Sequence, residues 1–466
     1  MLERRTKIVA TLGPATDGDG VLDRLVEAGM DCARLNCSHG THEELRERAA
    51  AVRAVAERSG RPIALLFDLQ GPKLRLGAGI EPREVARGDA VAFSGGDRQG
   101  AVTVEFEKFA ALVTDRSQIV IGDGVPRFAV ERIDDGIVSA RAVSPGPLSP
   151  RKGINVTYAR PELPAITEKD VADLALAAEL GGDFVALSFV RSAADLEQLR
   201  GMLQELGSAA RIVAKVEKIE AYERLDEIIA VTDGVMVARG DYGVEAGVAR
   251  VPLMQKDTIR RATQAGKVVI TATQMLESMI GAPEPTRAEA TDVANAVIDG
   301  TSAVMLSAET SVGSYPVEAV QAMAEIATAA EEAPAIHGRA RAALSSSTGE
   351  AVLHAAVELA DKVDAAALII PTSTGGAPRA CAKYRCRRPI VALAHQPGVG
   401  NQLALEWGVY PTPMPTADSV DEMVELALTH ARDHAGLEPG ARVVLTAGRR
   451  TGTPGATNLV MVREIP

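Results

Sequence analysis

The sequence predicts an α/β protein: a (β/α)8 TIM barrel with an inserted small β-barrel cap domain and a further C-terminal α/β domain. Three observations predict it. Eight short, β-branched apolar runs alternate with longer Ala/Leu/Glu/Arg stretches of helical periodicity, the mark of βα units on a parallel sheet. A segment rich in Gly, Asp and Pro, with alternating apolar residues, interrupts that alternation once. Beyond a linker, a second and shorter α/β alternation follows.

Taken in order, the runs are KIVATL (7–12), DCARLN (31–36), IALLFD (63–68), DFVALSFV (183–190), RIVAKVE (211–217), GVMVARGD (234–241), KVVITAT (267–273) and AVMLSAE (303–309). Helical stretches such as DGVLDRLVEAG and SAADLEQLRGMLQELG separate most of them, which matches a closed eight-stranded barrel. Between the third and fourth runs, residues 72–160 ("AVAFSGGD", "RFAVERIDDGIVSARAV") read as a small all-β insert at the barrel's carboxyl face, leaving 1–71 and 161–338 to the barrel. GRARAALSSSTGE (338–350) reads as a linker. The runs AALII, PIVALA, RVVLTAG and LVMVREI place a third domain at 345–466.

A chain of 466 residues that is 46% hydrophobic can bury several cores. Its net charge of -12 and aromatic content of 3% exclude a nucleic-acid surface made of basic patches and stacking rings, so an anionic ligand must meet a local basic cluster. Cys32, Cys37, Cys381 and Cys386 form no CxxC pair and are too few for a disulfide framework; they read as the reduced thiols of a cytoplasmic protein. MLERRTKIVATLGP lacks the apolar segment of a signal peptide, and nowhere do about 18 apolar residues run together, so neither targeting nor a membrane partner is expected.

Catalytic groups of such barrels sit at the carboxyl ends of strands. The second run ends Arg34, Asn36, Ser38, three alternate residues that share a face, with His39 beyond. The third ends at Asp68, followed five residues later by Lys73. The fifth ends Lys215, Glu217; the sixth Arg239, Gly240, Asp241; the seventh Thr271, Ala272, Thr273. One such strand could simply carry a salt bridge inside the barrel, but five polar ends on one face argue for a site. Glu217 and Asp241 supply hard oxygen ligands at low count, which suits Mg2+, and no histidine stands with them to favour zinc. Lys215 and Arg34 beside them suit a phosphorylated, carboxylated small molecule and phosphoryl transfer. There is no Walker A sequence and no Gly-rich kinase loop.

RLNCSHG, LQGPKLR, KVEKIEAYE, VMVARGDYGVE, ATQMLESM, PTRAEATDVANAVIDG and VMLSAET resemble the motifs of pyruvate kinases, and the likeness runs through almost the whole chain. The resemblance implies a barrel, a mobile β cap serving as nucleotide lid, and a C-terminal α/β regulatory domain, usually in a homotetramer. It implies transfer of the phosphoryl group of phosphoenolpyruvate to ADP, giving pyruvate and ATP, the last step of glycolysis. Carried over by position, Glu217 and Asp241 would hold Mg2+ or Mn2+. Lys215 would neutralise charge on the migrating phosphoryl group and Arg34 would grip the phosphate. Backbone amides near Gly240 and Asp241 would receive the substrate carboxylate, and Thr273 would help deliver a proton through water. Asn36, Ser38, His39, Arg75 and Lys152 would face the ADP phosphates. A Mg-dependent pyruvate or phosphoenolpyruvate lyase or aldolase on the same barrel is the alternative, and a catalytically silent scaffold would have lost at least one of these groups.

Departures from that likeness carry their own expectations. Where many of these enzymes read DTKGPEIR and bind K+ through asparagine, serine, aspartate and threonine, this chain keeps Asn36, Ser38 and Asp68 but has Leu69, Gln70 and Lys73. The ammonium of Lys73 would then replace K+, which would not be required; a surface lysine or a weak K+ site is the competing reading. Ala308 stands where glycine is common and Tyr242 where leucine is usual. In "PTSTGGAPRACAKYR", Thr372, Ser373, Thr374 and Gly375 outline a phosphate cradle for a phosphorylated-metabolite effector such as a sugar monophosphate or AMP, with Arg449 and Arg450 from a later loop. Ala377 replaces the last hydroxyl there, disfavouring a bisphosphate. A capped helix after an ordinary turn is the plain alternative.

Overall fold

A computed structural model describes residues 4–122, 124–159, 163–333, 347–448 and 457–466. Eight parallel strands close into a barrel in chain order: Lys7–Thr11, Cys32–Asn36, Ala64–Asp68, Phe184–Leu187, Arg211–Val216, Gly234–Ala238, Val268–Ala272 and Ala303–Leu306. Alternation along each strand divides the core in two. Val9, Cys32, Leu66, Phe184, Val213 and Met236 fill the barrel, where small neighbours such as Ala64, Ala186 and Ala303 make room for the Phe184 ring. The intervening residues, among them Ile8, Leu35, Phe67, Leu187 and Val237, pack outward against the helices.

The same alternation continued upward sets Thr11, Arg34, Asp68 and Lys215 on top of the apolar plug, with Ser188 just past the fourth strand. Several strands stop earlier than the apolar runs. The sixth ends at Ala238, and Arg239, Gly240 and Asp241 open the helix Arg239–Ala246 instead. Ser38, Glu217 and Thr273 likewise lie one or two residues beyond their strands. Thr271 is fully buried and bonds to Thr301, so it does not join the mouth.

The insert is a seven-stranded sheet in the order Leu74–Arg75, Gly153–Val156, Gln118–Ile121, Arg127–Asp134, Ile137–Ala142, Ala90–Ser94, Ala101–Thr103. Its two edges meet through a Leu76–Val104 bridge and hydrogen bonds from Gly77 N to Thr103 O and Glu105 N to Arg75 O, each 2.8 Å. The closure removes both exposed edges. Phe93, Phe109 and Phe128 centre its own core.

The C-terminal sheet has the order Val409–Pro413, Ile390–Ala394, Ala367–Thr372, Arg442–Gly448, Thr457–Glu464, the last strand antiparallel. Val409–Pro413 was not expected from its sequence. Two prolines argue against a central strand, and the structure satisfies that rule by placing it at the sheet edge. The helix Thr348–Lys362 takes up the end of the segment expected to be linker, since Ser347 stands at its N-cap. This unit seats on the amino end of the barrel: Ala404 and Leu405 join the interior cluster, and Lys7 Nζ donates to Val409 O at 2.6 Å. No described helix is long and apolar enough to cross a membrane. All four cysteines are buried and free.

Candidate active site

Lys215 is the hub of the barrel mouth. Its ammonium donates to Ser188 Oγ at 2.7 Å and forms ion pairs with Asp68 Oδ1 at 3.0 Å and Glu217 Oε1 at 3.1 Å. Burial alone would lower its pKa, but the two carboxylates outweigh that and hold the group protonated well above the ordinary range. Asp68 is 1% exposed, and its other oxygen takes Arg34 Nε at 2.7 Å. Burial would raise its carboxyl; Lys215 and Arg34 hold it low and charged. Arg34 Nη1 also donates to Thr11 Oγ1 at 2.9 Å. The rest of the guanidinium has no partner among the described residues, which leaves a fork of donors for an anion.

Ser188 and Phe189, which the sequence reading did not single out, orient this cluster. The Ser188 hydroxyl donates to Leu69 O at 2.7 Å, so its lone pair is turned toward Lys215. Phe189 has φ +55°, an unusual conformation for an aromatic residue, and its N–H reaches Glu217 Oε2 at 2.8 Å. One turn after the fourth strand thus fixes both the lysine and the carboxylate. The available signal was the polar Ser188 closing an otherwise apolar run.

Glu217 is 1% exposed and its carboxyl is pushed up to about 7, by burial first and then by the neighbouring charge of Asp241, against the pull of Lys215. Two carboxylates near enough to repel one another, beside an open pocket, fit a hard divalent cation that keeps other oxygens in its shell. Among the described residues no group of three His, Cys, Asp or Glu side chains converges, so any such ion would draw on these two and on its ligands.

Gly240 and Thr273 are brought into contact. A Cβ at position 240 would lie 3.0 Å from Thr273 Cγ2, so glycine is what permits the approach. Thr273 and Gln274 have φ of +75° and +54°. Arg239 holds that turn by donating to Thr273 O at 2.6 Å, itself anchored on Asp292 at 2.5 Å.

A pocket between barrel and insert is lined by Lys73, Arg75, Gly122, Gly153, Asn155, Arg191, Lys218 and Asp241. Pairing of Arg75 with Gly153 brings Arg75 and Lys152 to one edge of the insert, and the Lys152 side chain lies over Gly122. His39 is lowered by partial desolvation and then by the charges of Lys73, Arg34 and Arg75, a cationic rim suited to phosphates. Asn36 Oδ1 accepts from Ser38 N at 3.1 Å and shapes the turn that presents His39.

Lys73 is exposed on that rim and forms no ion pair among the described residues; Asp68 is already engaged by Arg34 and Lys215. Tyr242 is fully buried and packs edge-on against Tyr222. Ala308 opens the helical turn Ala308–Ser311, a conformation alanine favours.

Thr372–Gly375 lies in the C-terminal sheet unit and takes no part in the mouth. Thr372 Oγ1 accepts from Gly375 N at 2.9 Å, and Arg379 folds back onto Thr374 O at 2.8 Å. Arg449 and Arg450 lie outside the described residues.

Family models match the chain twice: "Pyruvate kinase, barrel domain" over residues 3–320 and "Pyruvate kinase, alpha/beta domain" over residues 350–463. The chain is 41% identical to the pyruvate kinase of Geobacillus stearothermophilus, covering 100% of this chain and 81% of that protein. It is 40% identical to the pyruvate kinase of Mycobacterium tuberculosis, over 100% and 99% of the two chains. With pyruvate kinase 2 of Synechocystis the identity is 39%, over 100% and 80%. An eight-stranded barrel whose mouth gathers Arg34, Asp68, Lys215 and Glu217 under a β insert, matched along its whole length by these relatives, belongs to the pyruvate kinase family.

Proposed function

We propose that this protein is a phosphotransferase that moves the phosphoryl group of phosphoenolpyruvate to ADP, giving pyruvate and ATP. The observation that carries the reading is the Lys215 ammonium, held by Ser188, Asp68 and Glu217, with Asp68 shared by Arg34. The neighbouring pocket under the insert is lined by Lys73, Arg75, Arg191, Lys218 and Asp241. Arg34 grips the phosphate of phosphoenolpyruvate. Lys215 neutralises charge on the phosphoryl group in transit and on the enolate oxygen left behind, an effect strongest in the transition state. Backbone amides at Gly240 and Asp241 receive the carboxylate, and Thr273 helps deliver, through water, the proton that turns enolpyruvate into pyruvate. Glu217 and Asp241 are the residues that would hold Mg2+ or Mn2+, which would supply Lewis-acid charge neutralisation to the substrate. Asn36, Ser38, His39, Arg75 and Lys152 meet the ADP phosphates. Residues 72–160 act as the lid, residues 1–71 and 161–338 as the catalytic barrel, and residues 345–466 as the regulatory unit of a cytoplasmic homotetramer.

Lys73 supplies the positive charge that K+ provides elsewhere, a role favoured by its place on the cationic rim and not by any contact with Asp68. A phosphorylated metabolite at Thr372–Gly375 lowers the phosphoenolpyruvate needed for half activity. Thr374→Ala should abolish that response in saturation kinetics with a panel of sugar phosphates and AMP.

The deciding experiment is pyruvate release from phosphoenolpyruvate with and without ADP, with ATP measured in parallel. Stoichiometric, ADP-dependent ATP supports the kinase. Pyruvate formed at equal rates without ADP would favour the lyase or aldolase reading, in which the cationic pocket has no task.

A further inference from the structure

Asn155, Lys218 and Glu245 form a closed polar triangle between insert and barrel, and Asn155 and Lys218 line the pocket under the insert. Asn155 lies in the insert strand Gly153–Val156, three residues beyond Lys152. Its Oδ1 accepts from Lys218 Nζ at 2.5 Å and its Nδ2 donates to Glu245 Oε1 at 2.8 Å, while Lys218 and Glu245 form an ion pair. The two charged side chains are 13% and 1% exposed. Each barrel member is tied to a carboxylate of the mouth: Lys218 follows Glu217 directly, and Glu245 lies four residues after Asp241, one turn along the same helix face.

Stability alone is a poor reason for this triangle. Glu245 Oε2 is buried with no hydrogen-bond partner, and a buried ion pair gains little over apolar packing. What it does supply is direction. A planar amide that donates to a carboxylate and accepts from an ammonium admits one orientation, so the strand carrying Asn155 is held at one register over the helix carrying Asp241.

We infer that Asn155, Lys218 and Glu245 are positioning residues that latch the insert over the barrel mouth and thereby set the nucleotide side of the site. The inference rests on the phosphotransfer reading above for its kinetic part. Arg75 and Lys152 move with the latched strand, whereas Arg34 and Lys215 belong to the barrel and do not. Loss of the latch should therefore weaken ADP and spare phosphoenolpyruvate.

The test compares wild type with Asn155→Ala and Lys218→Met, using steady-state kinetics and backbone hydrogen exchange. The expected result is half-saturating ADP raised by about tenfold, the loss of one or two charge-assisted hydrogen bonds, with half-saturating phosphoenolpyruvate within about twofold. Exchange at residues 153–156 should quicken while the barrel strands keep their protection. The double variant Lys218→Glu/Glu245→Lys should recover part of the loss, since the Asn155 amide can turn over and serve the reversed pair. Equal rises for both substrates, unchanged ADP kinetics, or unchanged exchange at 153–156 would overturn the latch. The exchange arm needs no substrate, so it stands or falls separately from the kinase reading.

Discussion

Lys215 shows how a buried ammonium is kept charged by its neighbours, two carboxylates outweighing the effect of burial. Its ammonium hydrogen-bonds Ser188 Oγ and stands within 3.1 Å of both the Asp68 and Glu217 carboxylates, which restrains it at the barrel mouth. Lys215→Met should reduce kcat by several orders of magnitude while half-saturating phosphoenolpyruvate changes only modestly, because its charge matters most as charge migrates. Single-turnover kinetics within tenfold of wild type would remove it from that role. Ser188→Ala keeps both carboxylates but frees one ammonium proton and leaves Leu69 O without a donor. A fall in kcat of about tenfold is expected, in line with ~1.5 kcal/mol for a hydrogen bond to a charged group. Steady-state kinetics would show it as a kcat effect with little change in either half-saturation, which separates it from variants of the latch.

At the scale of elements, the site is built from turns that regular strands and helices hold in place. Phe189, Thr273 and Gln274 all have positive φ, and each is held by bonds to neighbouring elements: Phe189 N by Glu217, the 273–274 turn by Arg239. The loop after the third strand is comparable. Leu69 is buried in the barrel–helix core, with its N–H on Ala186 O at 3.0 Å and its carbonyl on Ser188, while Lys73 projects to the rim. Activity should be near maximal in potassium-free buffer, and Lys73→Glu with Leu69→Thr should create a potassium requirement. Strong activation of the unaltered protein by KCl, beyond an ionic-strength control, would contradict that account. Side-chain periodicity made the strands legible, but it could not show that the turn after the fourth strand contributes Ser188 and Phe189, since their roles depend on which neighbours the closed barrel supplies.

For the whole molecule, a lysine of the first barrel strand ties the barrel base to the C-terminal unit, Lys7 Nζ donating to Val409 O. Lys7 is pushed down to about 8 by burial, against the pull of Asp31, with Arg4 and Arg61 adding to the decrease and Glu331 opposing it. Its folded pKa lies below the ordinary 10.5, so between those values the unfolded chain holds a proton that the native protein does not. Folding therefore carries a penalty below pH 8, of the order of 3 kcal/mol, which lifts as pH rises from about 8 to 10.5. Lys7→Met removes the penalty but leaves Val409 O unpaired, a loss of ~1–3 kcal/mol. The two terms nearly offset at neutral pH. The thermal midpoint of wild type relative to Lys7→Met should rise steadily from pH 8 to 10.5; a flat difference would show that Lys7 does not titrate in the fold.

The barrel, its all-β insert and the C-terminal α/β unit were legible in the order of residues, because short apolar runs, the alternation within the insert and the helical stretches between runs reflect local burial and recur many times. That order also determined which strand ends are polar, and so Arg34, Asp68, Lys215, Glu217, Asp241 and Thr273 as candidates. The remaining features depend on how distant elements pack. Asp241 opens a helix and not a strand end, the Asn155–Lys218–Glu245 triangle joins residues up to 90 positions apart, and Pro411 and Pro413 sit in an edge strand. The physical reason is common to all three: a polar or conformationally awkward residue takes its meaning from a partner, and the partner is chosen when distant elements pack, which no local pattern records.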